Sequence, residues 1–375
     1  MKKNEKKMKK IIINPSKIKK IRLDNGPFFL INNFEINSPL IETSIIDGDW
    51  DINTINFEDF YIFNSTEELI NGKDWKETAL YNHLLDQIEK GNPKWGCINQ
   101  EMVEKRGEYI LDLYNYIKEN KEIPKGYFDE DDICVSIDRN GSFIFSNNGT
   151  HRLCIAKILG IREIPVRVYN IHQKWNEYRL EVKELCDKLW DGKTYQNLPH
   201  PDFSEMESMW SDDRFDAIKN NTDVSGGTLL DIGSLFGNIC YQAEQFGYDC
   251  TAVETDNQYL DVMKKLHKSY YMSYKIIENS FLEMGEIEYD IIVAYNIFHH
   301  FLKSETLFNQ LNAFLDKITF KEMFIQTHKT TENQMSSAFM NFDSDEFAKF
   351  IAEKTNKKNY TCVGVEGGRK IYKIF

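Results

Sequence analysis

The sequence predicts an α/β protein in which a parallel sheet with helices on both faces fills the C-terminal half and a smaller α+β region precedes it. Three observations carry this. From Thr228 to Asp256 the chain reads TLLDIGSLFGNICYQAEQFGYDCTAVETD: two apolar runs, each ending in an acid, bracket a Gly-rich turn and an amphipathic segment. Short apolar runs then alternate with helical periodicity almost to Phe375, the pattern of strands joined by crossover helices. Between Ile133 and Tyr169 the period switches to two strands, a helix and a third strand.

Bulk properties narrow the function classes. The 375 residues suffice for two domains, and 41% hydrophobic with 28% charged residues is a globular composition. No window is apolar enough for a membrane span, and the N-terminus lacks a secretory signal. Seven Cys, an odd number without CxxC spacing, read as reduced thiols of a cytoplasmic protein, and no zinc or other metal set is evident. A net charge of −13 disfavours general nucleic-acid binding. Residues 1–20, beginning MKKNEKKMKK, read as a basic, solvated, disordered tail; the alternative is an arm that touches nucleic acid or anionic lipid. The expected division is this tail, a first domain over 21–198, a connector over 199–222 and a second domain over 223–375.

In the first domain, apolar spacing predicts helices over Lys76–Lys90 and Met102–Asn120. Strands are expected at Ile133–Asp138 and Ser142–Asn147, joined at Asn140-Gly141 by a type I′ turn. A helix from Thr150 to Leu159 and a strand over Ile164–Tyr169 follow. In the second domain, strands are expected at Thr228–Ile232, Cys250–Val253, Tyr274–Ile277, Asp290–Ala294, Met323–Gln326, Tyr360–Val363 and Lys370–Ile374. Helices fall at Gly237–Phe246, Asn257–Ser269, Lys303–Leu315 and Asp343–Lys354. The last two strands meet at Gly367-Gly368 with no helix between them, so one of them runs antiparallel.

The chemistry of the second domain starts at Gly233-Ser234-Leu235-Phe236-Gly237. A dinucleotide site needs G-x-G-x-x-G, whose middle Gly admits the pyrophosphate; here Leu235 stands in that place. A ligand without phosphates fits better, such as the amino-acid end of S-adenosylmethionine. Glu254 follows Asp231 at about the 20-residue spacing of an acid that holds ribose hydroxyls. On DIGSLFG, VETD, YDIIVAYNIFHHF and the final GGRKIYKIF, residues 223–375 resemble the class I S-adenosylmethionine-dependent methyltransferases. The resemblance implies a Rossmann-like seven-stranded sheet with a reversed last strand. It implies Asp231, Gly233 and Gly237 shaping the donor site and Glu254 on the ribose; where many members carry an Asp on the adenine, Asn279 or Ser280 stands here, with Ser280 taken to face the adenine. His299, His300 and Asn296 stand at the expected mouth of the site, as candidates for a base and for orienting the acceptor.

In the first domain, Asn147-Asn148-Gly149 precedes a helix that opens with His151 and Arg152, and IPV returns as a strand. Backbone N–H groups, the helix dipole and a guanidinium there suit a phosphate. Residues 130–172 resemble the ParB/sulfiredoxin superfamily, with NGTHR the specific part. That implies an α+β domain in which Asn148, Gly149, His151 and Arg152 bind the phosphates of a nucleotide such as ATP or CTP. His172 and Trp175 are candidates to close the same pocket. Three readings remain open at this point: a methyltransferase acting on a small molecule or saccharide; a nucleotide-sensing binding or switch protein; and a kinase-like first domain.

Overall fold

The computed structural model describes residues 9–22, 43–125, 132–146, 148–210 and 213–375. The chain forms two compact units, Met1–Glu181 and Val182–Phe375. The boundary falls inside a helix, so the segment assigned from sequence to the end of the first domain and to a connector belongs to the second unit from Val182 onward.

The first unit holds strands β1 (Lys9–Ile13), β2 (Lys20–Arg22), β3 (Ser44–Ile46) and β4 (Thr54–Asn56), then helices α1 (Tyr61–Ile70), α2 (Ala79–Glu89) and α3 (Gln100–Asn120). β5 (Ile133–Ile137), β6 (Phe143–Phe145), α4 (Thr150–Ile158), β7 (Ile164–His172) and α5 (Gln173–Trp190) follow. The sheet runs β1-β7-β5-β6-β2-β4, with β3 beside the far end of β7. Two expectations change. Lys9–Ile13 is a strand paired antiparallel with Ile164–Val168, and Lys20–Arg22 is another, so the tail does not extend this far; residues 1–8 lie outside the described residues. The lysines misled because in Lys9-Lys10-Ile11-Ile12-Ile13 it is Ile11 and Ile13 that are buried, an alternation too short to outweigh the charge run. Second, the β5–β6 connection is a three-residue loop rather than type I′: Asn140 does not take a positive φ, whereas Gly141 does. The Asp138 carboxylate selects this loop by accepting from the N–H groups of Asn140 and Ser142, both at 2.8 Å.

The second unit continues with α6 (Asp213–Lys219), β8 (Gly227–Ile232), α7 (Asn238–Glu244), β9 (Tyr248–Val253), α8 (Asn257–Ser269) and β10 (Lys275–Ile277). It is completed by β11 (Ile287–Tyr295), α9 (Glu305–Leu315), β12 (Ile318–Gln326), α10 (Ser344–Lys354), β13 (Tyr360–Glu366) and β14 (Arg369–Ile374). The seven-stranded order is β10-β9-β8-β11-β12-β14-β13. β8 to β12 pair in parallel, β14 runs antiparallel to β12, and β13 runs antiparallel to β14, as the Gly367-Gly368 turn between them requires. β13 forms the edge and its register shifts between Cys362 and Gly364. This is a Rossmann-like sheet. From β8 the order advances one way to β9 and the other way to β11 and β12, so right-handed crossovers place the helices on both faces and leave a crevice between β8 and β11. Leu311, Phe314, Phe347 and Ile351 of α9 and α10 join Leu230, Ile292 and Met323 of the strands in one continuous core.

Candidate functional site

A cavity of about 340 Å³ opens at the C-terminal ends of β8, β9, β10 and β11, the end of the sheet where the crevice lies. Asp231 and Gly233 line it from the end of β8, Glu254 from the residue after β9, Ser280 from the turn after β10, and Asn296 from the residue after β11. His300 lines it as well. Residues far apart in sequence therefore converge because each ends a neighbouring parallel strand.

The turn after β8 is held by its own chemistry. Gly233 and Ser234 donate N–H bonds to the Val253 carbonyl at 2.9 and 3.0 Å. Leu235 takes φ 53°, the left-handed region that a middle glycine would occupy without strain. Its N–H donates to Glu254 Oε2 at 2.8 Å, while Glu254 Oε1 accepts from the N–H groups of Thr255 and Asp256 at 2.7 and 3.0 Å. Glu254 thus ties the β8 and β9 turns together and keeps lone-pair capacity for a ligand. Gly237 caps α7 away from the cavity. A Cβ there would lie 2.8 Å from Tyr274 Cζ, so this glycine serves the close approach of a tyrosine.

Asp231 is 4% exposed, and burial pushes its carboxyl up to about 7, with the nearby Arg214 charge pulling the other way. A cation placed beside it would ionise it. Ser280 Oγ accepts from the Leu282 N–H and so caps the following turn. The two histidines separate. His300 sits at the rim, whereas His299 is buried off the cavity, 4.1 Å from the His300 ring and 5.9 Å from the His328 ring. Burial first, then the charges of His300, Arg369 and His328, push His299 down to about 2, so it stays a neutral packing residue. Partial burial, with the Lys303 and Arg369 charges, holds His300 at about 4.

Several cavity residues escape a reading of the sequence. Trp190, Tyr195 and Tyr259 form an aromatic wall, with Trp190 stacked on Tyr259 at 5.9 Å. Gln196 donates to the Ser234 carbonyl at 2.9 Å. Arg214 is buried at the cavity with its guanidinium 5.9 Å from the Tyr195 ring and 5.5 Å from the Trp210 ring; its Nε makes no hydrogen bond among the described residues but lies 3.5 Å from Glu366 Oε2, an ion pair. Arg369, behind the cavity, grips Glu332 with Nε and Nη2 (2.8 and 2.6 Å) and donates Nη1 to Asn296 Oδ1 at 2.6 Å. Among the described residues, no group of three His, Cys, Asp or Glu side chains stands ready for a metal ion.

In the first unit the turn expected to hold phosphate is half-buried and packs against β5. Gly149 takes φ 81°, and a Cβ there would lie 2.7 Å from Ile133 Cγ1 and 3.0 Å from its Cα. Asn148 donates to the Asp132 carbonyl at 2.8 Å, and Asn147 lies outside the described residues. Thr150, His151 and Arg152 are all buried, Arg152 donating to the Pro124 carbonyl at 3.3 Å. Burial pushes His151 down to about 3, and its ring packs edge-on against Trp95. His172 and Trp175 do not join this turn. Gly149 packs at Ile133, where β5 begins. His172 follows Ile171, the partner of Ile137 where β5 ends, and Trp175 packs on Gly141 of the hairpin loop. They stand at opposite ends of the strand.

No protein-family model and no curated protein matches the sequence. Among solved structures, monomeric WbdD aligns at 16% identity with a TM-score of 0.41 over 51% of this chain and 47% of that one. A structure described as the bifunctional kinase-methyltransferase WbdD aligns at 15% and 0.41, covering 51% and 45%. Magnesium protoporphyrin IX methyltransferase (ChlM) from Synechocystis PCC 6803, with bound SAM, aligns at 9% and 0.35, covering 44% and 76%. The chain spans about half the length of the WbdD chains it matches. At these values the likenesses carry no functional assignment. No helix among the described residues is long and apolar enough to cross a membrane.

Proposed function

We propose that the second unit is a class I S-adenosylmethionine-dependent methyltransferase acting on a small-molecule or saccharide acceptor. The observation that carries this is the convergence of Asp231, Gly233, Glu254, Ser280 and Asn296 on one cavity at the strand ends. The donor bears a carboxylate, an ammonium, a sulfonium and a ribosyl adenine, and the cavity offers a counterpart to the carboxylate, the ammonium, the ribose and the adenine. Arg214 supplies a buried cation for the carboxylate. Asp231 faces the ammonium, whose charge ionises it. Glu254 holds the ribose, and Ser280 with neighbouring Asn279 flanks the adenine. No phosphate is required, consistent with the side chain at Leu235.

In this reading the donor methyl lies near Asn296 and His300, and the rate gain comes from holding nucleophile and methyl in line. Because His300 is neutral at pH 7, it adds no positive charge beside the sulfonium. Calorimetric titration with S-adenosylmethionine tests the reading. The wild type is expected to bind, and Glu254→Ala to weaken binding about a hundredfold by removing both the ribose partner and the tie between turns. A wild type that takes up no donor ends the proposal.

A further inference from the structure

We propose that the acceptor is an oxyanion, a carboxylate or phosphate-ester oxygen already ionised in water, recognised by Asn296 and His300 acting as hydrogen-bond donors. This rests on the methyl transfer proposed above and names its substrate class.

The orientation of Asn296 is fixed from behind. Arg369 Nη1 lies 2.6 Å from its side chain, and a guanidinium only donates, so the atom facing it is the oxygen Oδ1. Arg369 cannot turn away, because both carboxylate oxygens of Glu332 hold it. The backbone adds a second constraint: Asn296 takes φ 57°, a left-handed geometry that asparagine tolerates better than most residues. The amide nitrogen Nδ2 is therefore turned away from Arg369. It is buried, it has no partner among the described residues, and its residue lines the cavity. A buried unpaired donor is costly, and a ligand oxygen placed there satisfies it.

His300 is a donor for an equally simple reason. The Lys303 ammonium lies 3.3 Å from Nδ1, and an ammonium also only donates. Nδ1 thus keeps its lone pair for Lys303, and in the neutral ring the hydrogen sits on Nε2. The nitrogen left for a substrate gives a hydrogen bond rather than taking a proton. His299 lies off the cavity. Glu254 is engaged by three backbone N–H groups, and Asp231 is assigned to the donor's ammonium. Among the described residues, the acceptor side thus offers two donors and no side chain free to remove a proton. A hydroxyl nucleophile is poorly served by such a set, whereas an oxyanion has no proton to lose.

The step balances without a base. A lone pair on the oxyanion forms the O–CH₃ bond. The S–CH₃ bond breaks with its electron pair left on sulfur, and the sulfonium becomes a neutral thioether. No proton moves, and the product carries one negative charge fewer than its substrate. Arg369 touches neither reactant; it is a positioning residue.

The test uses the full chain, S-adenosylmethionine labelled in its methyl group, and an aqueous metabolite extract resolved by anion exchange. The expected product elutes one negative charge earlier than its substrate. Alkali then distinguishes the sources: a carboxyl ester releases the label as methanol, and a methyl phosphodiester retains it. Label found only in products whose charge equals that of the substrate, or in no anionic substrate at all, overturns the inference. A second arm uses Asn296→Asp, which keeps a partner for Arg369 but replaces the donor by an anion. Donor affinity is expected to hold while transfer falls about a hundredfold, through repulsion between like charges. Transfer equal to the wild type overturns the inference. So does loss of donor binding in this variant, which would assign the amide to the donor. Failure of the wild type to bind donor is a different result, and sinks methyl transfer together with this inference.

Discussion

In the second unit the turn after β8 borders a cavity through Gly233 and Leu235; in the first, the turn at Asn148-Gly149 is packed against β5. Both are glycine-containing turns that start a helix, and sequence patterns alone rank them alike. The packing separates them. Next to the second turn stand Asn296 Nδ2, which has no partner among the described residues, and Arg214 Nε, which makes no hydrogen bond among them and only a 3.5 Å ion pair with Glu366 Oε2; both residues line the cavity. Next to the first turn stands His151, whose ring nitrogens also lack partners among the described residues, but which is buried and neutral. An unpaired polar atom points to a ligand when it borders space a ligand can enter. A glycine before a helix records only that something approaches closely, and here that something is Ile133.

Four experiments break or sharpen this contrast. The largest effect is expected at Arg214. Arg214→Met removes the buried cation while keeping much of its apolar contact with Tyr195 and Trp210, and donor affinity should fall about a hundredfold by calorimetry. Unchanged affinity would mean that the open turn does not meet the donor's carboxylate.

Next is Arg369→Ala, which strips Glu332 of its guanidinium partner and should lower the melting temperature of the second unit by roughly 5 °C. Burial pushes the Glu332 carboxyl up. Hydrogen bonds from Gln334, the Lys329 N–H and Arg369 outweigh this and hold it near 2, below its ordinary 4.5. A depressed carboxylate contributes stability that is present above pH 4.5 and lost as pH falls towards 2. Melting curves across that window should show a shallower acid loss in the variant; identical slopes would remove Glu332 as the cause.

Asp231 gives a smaller but more specific signal. Its raised pKa means that stability falls as pH rises from about 4 to 7, because the native carboxyl holds a proton the unfolded chain has already released. A cationic donor lowers that pKa, so binding at pH 7 should release up to about half a proton, seen by calorimetry in buffers of different ionisation enthalpy. Asp231→Asn should abolish the release.

The smallest expected effect is none. Titration of ATP or CTP should leave the first unit unsaturated at millimolar concentration, and Arg152→Ala should change only stability. Micromolar binding that Arg152→Ala removes would reinstate the turn as a phosphate site and dissolve the contrast.

The legible parts of the fold were those written locally. Each parallel strand of the second unit carries an apolar run closed by a polar or glycine residue, and the antiparallel pairing of β13 and β14 follows from two residues, Gly367 and Gly368, too few for a crossover. Asp231, Glu254 and Asn296 were found because each ends or follows such a run. The rest of the site was not local. Trp190, Tyr195, Gln196 and Arg214 sit before β8, over a stretch with little periodicity that reads as the end of one domain and a connector, and only the folded chain brings them to the cavity. The Asn296–Arg369 bond joins residues 73 positions apart, and nothing near either residue announces it. The two adjacent histidines looked equivalent; one residue of helical rotation sends His299 into the core and leaves His300 at the rim.

The register shift between Cys362 and Gly364 has a consequence for how the molecule behaves in company. β13 is the outermost strand on its side of the sheet, and it exposes Tyr360 and Val365. A straight edge of this length is a template on which a foreign strand can grow. The extra residue puts the two halves of β13 out of phase, so an incoming strand that matches the backbone groups of one half misses those of the other. One inserted residue thereby blunts an adhesive border and guards this side of the sheet against end-to-end aggregation.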